Sequence, residues 1–260
     1  MSEQLKSSSQ GHTLILTVSN PDARNALGPD IYVAGVEALN VAADHPDIRT
    51  VVITGEGAHF SAGGNLQRLL SNRQKEPEHQ ARSINAFHAW MECLQTFPKP
   101  VIAAVEGAAA GAGFSLVLAC DLVVASRQSV FSLAYSNIAL SPDGGSSWQL
   151  SRKVPRALAT QWLMLGDRLS AQALRHHGLI NELCEPGEAL STALALAKRL
   201  NERAGNALAS VKELLNSADT NSLSAQLDAE RDHFVRNLHH PNAGIGIQAF
   251  LQKTSPQYDN

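Results

Sequence analysis

Residues 99–113 read Lys-Pro-Val-Ile-Ala-Ala-Val-Glu-Gly-Ala-Ala-Ala-Gly-Ala-Gly, an apolar run followed by a segment of small residues. The run Val101 to Val105 predicts a strand that is buried on both faces, because it contains no polar side chain. Residues 50–54, Thr-Val-Val-Ile-Thr, have the same character, and Ala62-Gly63-Gly64 follows them. Two such strands, each leading into a Gly-rich segment, indicate a sheet layered with helices.

Strand and helix patterns alternate on either side of these two runs. Residues 12–19 alternate like a strand, a helical pattern runs from Pro29 to Ala43, and Leu122 to Ala125 forms a third buried strand. Such alternation predicts an α/β chain with crossover connections. From Leu150 onward we expect helices without further strands, at residues 156–165, 170–176, 186–202, 206–216 and 222–237.

The last of these helical patterns carries an apolar stripe. Leu223, Leu227, Phe234 and Leu238 are spaced to lie on one face, and an exposed stripe of this kind needs a partner surface. We therefore expect an oligomer, with a core over residues 1–200 and a C-terminal helical oligomerisation region over residues 201–260.

The composition excludes several classes of protein. The chain has 260 residues, 44% of them apolar, and Lys+Arg 21 against Asp+Glu 24 gives a net charge of −3, so no basic field attracts nucleic acid or an anionic membrane. Three widely spaced cysteines argue for a reducing compartment and against a structural zinc. The start has no apolar segment of a signal peptide, and the longest uncharged stretch, Gly107 to Cys120, is shorter than a membrane crossing. We expect a cytoplasmic protein without nucleic-acid or membrane partners.

Cofactor and metal motifs are incomplete. Gly111-Ala112-Gly113 is followed by Leu116 where a dinucleotide fingerprint needs Gly, and no P-loop lysine or HExxH pair occurs. We expect no metal and no bound cofactor.

The two small-residue segments are candidates for a ligand site. If each opens a helix, free main-chain N–H groups point at one spot, which is the physics of an oxyanion hole. Tight packing between strand and helix in a crowded core is the alternative explanation.

Several motifs, in this order, resemble the crotonase (enoyl-CoA hydratase/isomerase) family. They are Asn-Pro-Asp-Ala-Arg-Asn-Ala-Leu at 20–27, residues 51–55 through Phe-Ser-Ala-Gly-Gly-Asn-Leu at 60–66, and residues 99–107 through Ala-Cys-Asp at 119–121. Residues 246–253 look like the closing helix of the family. The resemblance covers nearly the whole chain.

The resemblance implies a spiral of ββα units with a C-terminal helical trimerisation region, often in a dimer of trimers. It implies an acyl-CoA thioester as the ligand, with CoA as part of the substrate. Gly64 takes the position of the first oxyanion donor and Ala112 that of the second. Asn65 replaces the Asp that is usual after the first motif.

The acid/base positions depart from the hydratase pattern. Hydratases of the family use two Glu residues, and here those positions hold Ser115 and Tyr135. Asp143, in the sequence Ser-Pro-Asp-Gly-Gly at 141–145, resembles the acid/base Asp of isomerase-like branches that act on unsaturated or aromatic-derived acyl-CoAs. A helix cap or turn Asp before the two glycines is the alternative.

Further residues are expected near the substrate. Arg24 and Lys253 are similar in position to residues that meet the CoA phosphates, although lone basic side chains are usually only solvated. Phe87 and its helical neighbours are expected in the core or acyl-pocket wall, and His88 is expected to face solvent. The other substrate-contacting candidates are Ala62, Asn65, Leu66, Ser115 and Tyr135.

The expected function is that of an acyl-CoA enzyme in which Asp143 moves protons to and from an enolate, with double-bond isomerisation favoured. A hydratase or ring-opening hydrolase in fatty-acid or aromatic acyl-CoA degradation is an alternative within enzymes. A non-catalytic acyl-CoA-binding protein is an alternative of another class. A serine protease on a similar fold would need a Ser, a His and an Asp that converge.

Overall fold

A computed structural model describes residues 3–258. The strands are β1 (Gln4–Gln10), β2 (Thr13–Ser19), β3 (Thr50–Gly55), β4 (Val101–Val105), β5 (Ala108–Ala110), β6 (Leu122–Ser126), β7 (Val130–Ser132), β8 (Leu169–Ser170) and β9 (Glu182–Cys184). The helices are α1 (Pro29–Asp44), α2 (Leu66–Asn72), α3 (Pro77–Thr96), α4 (Ala112–Ala119), α5 (Ser146–Lys153), α6 (Arg156–Leu165), α7 (Ala171–His176), α8 (Ala189–Asn201), α9 (Gly205–Ala218), α10 (Leu223–Leu238) and α11 (Pro241–Gln252).

The larger sheet has the order β1-β2-β3-β4-β6-β9, and every neighbouring pair except β1 and β2 is parallel. Strands β3 and β4 are buried because helices cover both faces of the sheet. On one face, Ala189 and Ala193 of α8 pack against Val52 and Ile102. The opposite face contacts the main core, to which α1 and α3 contribute. The layered sheet expected from the apolar runs is confirmed.

The chain repeats one unit, which consists of a strand of the larger sheet, a strand of the smaller sheet and a helix. Strand β4 leads into β5 and then α4. After β3, Ser61 pairs with Ala109 of β5 before α2 begins. Strands β5 and β7 are parallel neighbours in the smaller sheet, whose order is β5-β7-β8. The α/β class and the spiral of ββα units are confirmed.

One expectation about strands is wrong. Strands do not stop at Leu150, because β8 and β9 follow it and β9 extends the larger sheet beside β6. These strands have only two or three residues, so they show no hydrophobic period. Strand β1 adds a feature on which the sequence pattern is silent. Its Ser-rich, largely exposed residues lie at the edge of the sheet and pair with β2 through main-chain groups.

Helices dominate the C-terminal part of the chain, as the spacing predicts. Helix α6 has the expected bounds, and α8 to α11 follow. Leu223, Phe234 and Phe250 are exposed on α10 and α11, at 77%, 68% and 84%. Within residues 3–258, no helix combines the length and apolar character needed to span a membrane.

Candidate active site

The two small-residue segments lie side by side. Ser61 N–H donates to the carbonyl oxygen of Ala108 at 3.0 Å, and Ala110 N–H donates to that of Ser61 at 2.9 Å. A Cβ on Gly63, where φ is +86°, would lie 2.5 Å from the carbonyl oxygen of Ala110. Glycine is therefore required there by both the main-chain conformation and the close approach.

A cavity lies beside these two segments, and both Gly64 and Ala112 line it. Among residues 3–258, their N–H groups have no protein acceptor. Ala112 is the first residue of α4, and all eight residues of that helix are buried. The free N–H groups at a buried helix start favour negative charge. The pair can therefore stabilise an oxyanion that develops in the cavity.

Asp143 lines the same cavity, in the turn that precedes α5. The Tyr135 hydroxyl donates to its Oδ1 at 2.5 Å. Ser115 Oγ donates to the main-chain carbonyl of Asp143 at 3.0 Å, so a second hydrogen bond holds the turn in place. Gly144 and Gly145 follow with φ of +58° and +75°, which lets the chain enter α5 directly after the carboxylate.

The surroundings of Asp143 act on its pKa in opposite directions. Burial raises the pKa of the carboxyl, whereas the Tyr135 hydrogen bond lowers it. Burial and the charge of Asp143 raise the pKa of the Tyr135 phenol, which therefore stays protonated as a donor. The Tyr135 hydroxyl thus holds the Asp143 carboxylate, and the Ser115 hydroxyl holds the main chain at the same residue.

His88 was expected to face solvent; it is half-buried and lines the cavity. Gly144 N–H donates to its Nε2 at 3.3 Å. This bond requires the neutral tautomer with its proton on Nδ1. His88 was missed because its placement depends on the turn at 143–145, which folds against α3 from a distant part of the chain. The Ser115 hydroxyl contacts the main-chain carbonyl oxygens of Gly111 and Asp143 and lies 3.4 Å from Tyr135 Oη. It makes no hydrogen bond to His88, so Ser115, His88 and Asp143 do not form a Ser-His-Asp triad.

The cavity has a volume of about 450 Å³. Tyr32 and Phe87 contribute aromatic rings to its wall, and Ile84, Ile138 and Leu140 contribute aliphatic side chains. The expected site residues that line it are Ala62, Gly64, Asn65, Leu66, Ala112, Tyr135 and Asp143.

The remaining expected residues lie outside the lining. Ser115 is fully buried behind Asp143. Arg24 and Lys253 are exposed, and neither borders the cavity. The main chain of Arg24 lies next to the oxyanion segment, because Ala62 N–H donates to its carbonyl oxygen at 2.9 Å. Within residues 3–258, no three His, Cys, Asp or Glu side chains are grouped so as to hold a metal ion.

A family model described as Enoyl-CoA hydratase/isomerase matches residues 9–260. The chain belongs to this family. It is 34% identical to the 1,2-epoxyphenylacetyl-CoA isomerase of Escherichia coli K12, over 99% of both chains. It is also 34% identical to the 2,3-dehydroadipyl-CoA hydratase of the same organism, again over 99% of both.

Solved structures of family members share the fold. An enoyl-CoA hydratase from Polaromonas sp. JS666 has 64% identity and a TM-score of 0.97, and the alignment covers 98% of this chain and 99% of that one. An enoyl-CoA hydratase from Geobacillus kaustophilus HTA426 has 30% identity and a TM-score of 0.91, with 98% and 97% covered. The chain is therefore an acyl-CoA enzyme of the enoyl-CoA hydratase/isomerase type.

Proposed function

We propose that the enzyme moves a double bond along an unsaturated acyl-CoA, with Asp143 as the proton-transferring group. One observation carries the proposal. Of the residues that line the cavity within 3–258, Asp143 is the only carboxylate, and it shares the cavity with the free N–H groups of Gly64 and Ala112. One carboxylate suffices for a 1,3-shift, whereas hydration needs one group to take a proton from water and another to deliver one to carbon.

In the proposed reaction, the thioester carbonyl oxygen accepts hydrogen bonds from the N–H groups of Gly64 and Ala112. The Asp143 carboxylate removes a proton from one carbon, and the electron pair of that C–H bond forms an enolate. The carboxylic acid then returns the proton to a second carbon, which regenerates the carbonyl and shifts the double bond. A proton and a double bond shift without net oxidation or reduction, so the proposed reaction requires no redox cofactor, and CoA remains part of the substrate.

Burial supports the role of Asp143 as a base. A raised pKa makes the carboxylate a stronger base once it is ionised, and the Tyr135 hydrogen bond keeps the ionised form accessible. Ser115 fixes the main chain at the same point. These two hydroxyls are proposed to orient the carboxylate toward the acyl carbons.

His88 favours a second candidate function, the hydration or ring-opening hydrolysis of an acyl-CoA. Its imidazole lies beside Asp143 and adds the second titratable group that the sequence did not reveal. The relatives in Escherichia coli are named for an isomerase and for a hydratase, so both reaction classes occur among similar chains.

Rates on matched substrates separate the candidates. We expect the wild-type enzyme to isomerise 3-hexenoyl-CoA faster than it hydrates crotonyl-CoA, as followed by chromatography of the CoA products. Hydration at an equal or greater rate would support the second candidate. Binding of both thioesters without turnover would support a non-catalytic binding protein.

The exposed apolar residues of α10 and α11 support a homo-oligomer, a trimer or a dimer of trimers, built through residues 201–260 with residues 1–200 as the core. Arg24 and Lys253 are proposed to meet the CoA phosphates. Light scattering tests the assembly. A mass about three or six times that of the chain is expected, and a monomer at micromolar concentration would contradict it.

A further inference from the structure

Tyr32 is a buried residue of the cavity wall that the proposed reaction does not use. It lies on α1, its side chain is 6% exposed, and it lines the acyl cavity. Its ring packs against Phe87 with the ring centroids 5.0 Å apart. The phenol is thus held at a fixed place in the wall by aromatic packing.

The Tyr32 hydroxyl has no hydrogen-bond partner in the part of the chain that the structure describes, residues 3–258. The hydroxyl oxygen is not fully enclosed by protein, so it opens onto the cavity, where solvent or a ligand can pair with it. Tyr135, which lines the same cavity, differs in this respect, because its hydroxyl donates to Asp143 at 2.5 Å. The two phenols differ in that one is committed within the protein and the other is free.

None of the charged neighbours of Tyr32 accepts a hydrogen bond from its hydroxyl. Arg68 pairs with Glu3 at 3.0 Å and also donates to the carbonyl oxygen of Leu27. The Asp143 carboxylate accepts from Tyr135. Burial raises the pKa of Tyr32, and the negative charges of Asp143 and Glu3 add to that effect, so the phenol remains a neutral donor. The partner of this donor must therefore enter the cavity from outside.

We infer that Tyr32 determines specificity by donating a hydrogen bond to an oxygen atom of the acyl group. The chemical class implied is an acyl-CoA whose acyl portion carries a hydroxyl, carbonyl or ring oxygen beyond the thioester. The inference rests on the proposed acyl-CoA site, but it does not depend on which reaction follows.

The cost of an unpaired donor supports this class of ligand. Water can satisfy the hydroxyl while the cavity is empty, but an acyl group that fills the cavity displaces that water. An apolar acyl group would leave the donor buried and unpaired, which costs more than a hydrogen bond gains. An oxygen placed at Tyr32 removes that penalty, so the wall discriminates in favour of oxygenated acyl groups.

Dissociation constants for matched thioesters test the inference. The probes are phenylacetyl-CoA against its 2-, 3- and 4-hydroxy derivatives, and butyryl-CoA against 3-hydroxybutyryl-CoA, measured by titration calorimetry. We expect at least one oxygenated member to bind the wild type ~3- to 10-fold more tightly than its parent. Tyr32→Phe should abolish that preference without weakening the parent compound.

Tyr135→Phe is the matched control, because it removes a phenol that is already committed to Asp143, and the preference should persist in it. A thermal melt checks that Tyr32→Phe folds, since the ring that packs on Phe87 is retained. Binding of the thioesters without any oxygen preference, or a preference that survives in Tyr32→Phe, would overturn the inference alone. Failure of every thioester to bind would contradict the proposed function and this inference together.

Discussion

The proposed oxyanion donors and the proposed proton-transferring end of the cavity are built in different ways. Gly64 and Ala112 would act through main-chain N–H groups, on two segments that follow buried strands. The proposed roles of Asp143 and Tyr135 use side chains from neighbouring parts of one loop, and His88 joins them from helix α3, more than 40 residues earlier in the chain. The first region needs only small residues in a fixed order, whereas the second can be changed by single substitutions. The difference explains how one fold can hold many reactions on one kind of ligand.

Removing a main-chain donor should have the largest effect. Ala112→Pro deletes the N–H at the first residue of α4. Helices tolerate proline at this position, so the variant should still fold. We expect a loss of ~10²- to 10³-fold in kcat, because an oxyanion donor is lost. Ala112→Gly keeps the N–H and should remain active. A folded Ala112→Pro enzyme with full turnover would exclude this oxyanion hole.

Tyr135→Phe should have a smaller effect that depends on pH. The variant removes the hydrogen bond that stabilises the Asp143 carboxylate, so the pKa of Asp143 rises further. Because the base acts only when it is ionised, the acidic limb of the kcat/KM profile should move to higher pH, with a loss of roughly 10-fold or less near neutrality. An unchanged profile would mean that the hydrogen bond does not control the base.

His88 variants should separate positioning from proton transfer. Glutamine can accept the Gly144 N–H but cannot carry a proton at neutral pH, and alanine can do neither. For an isomerase that uses Asp143 alone, His88→Gln should stay within ~3-fold of the wild type, and His88→Ala should lose ~10-fold as the turn loosens. If His88→Gln instead lost the activity, His88 would have to transfer protons itself.

The sequence allowed the first region to be predicted better than the second. Strands β3 and β4 have local apolar patterns, and Gly63 is needed for a main-chain conformation and a close approach that its own motif signals. The position of Asp143 was expected from the resemblance. The site of His88 depends on a turn that packs onto α3 from 56 residues away along the chain, and no periodicity indicates that.

Tyr32 and the short strands show the same limit. Tyr32 follows Ile31 on the apolar face of α1, so its sequence context indicates core and gives no sign of a free hydroxyl. Strand β9 has three residues and is defined by its pairing with β6. In each case the structural role depends on a tertiary contact with a distant segment, which the local sequence pattern does not predict.

Asp143→Asn tests the central claim most directly, because it keeps the size of the side chain and removes the base. Burial raises the pKa of Asp143, so its ionisation at neutral pH opposes folding, and the Asn variant should melt at the same temperature or higher. Isomerisation of 3-hexenoyl-CoA should fall ~10²-fold or more, while affinity for acyl-CoA is largely kept. Near-normal isomerisation by a folded Asp143→Asn enzyme would contradict the single-carboxylate mechanism.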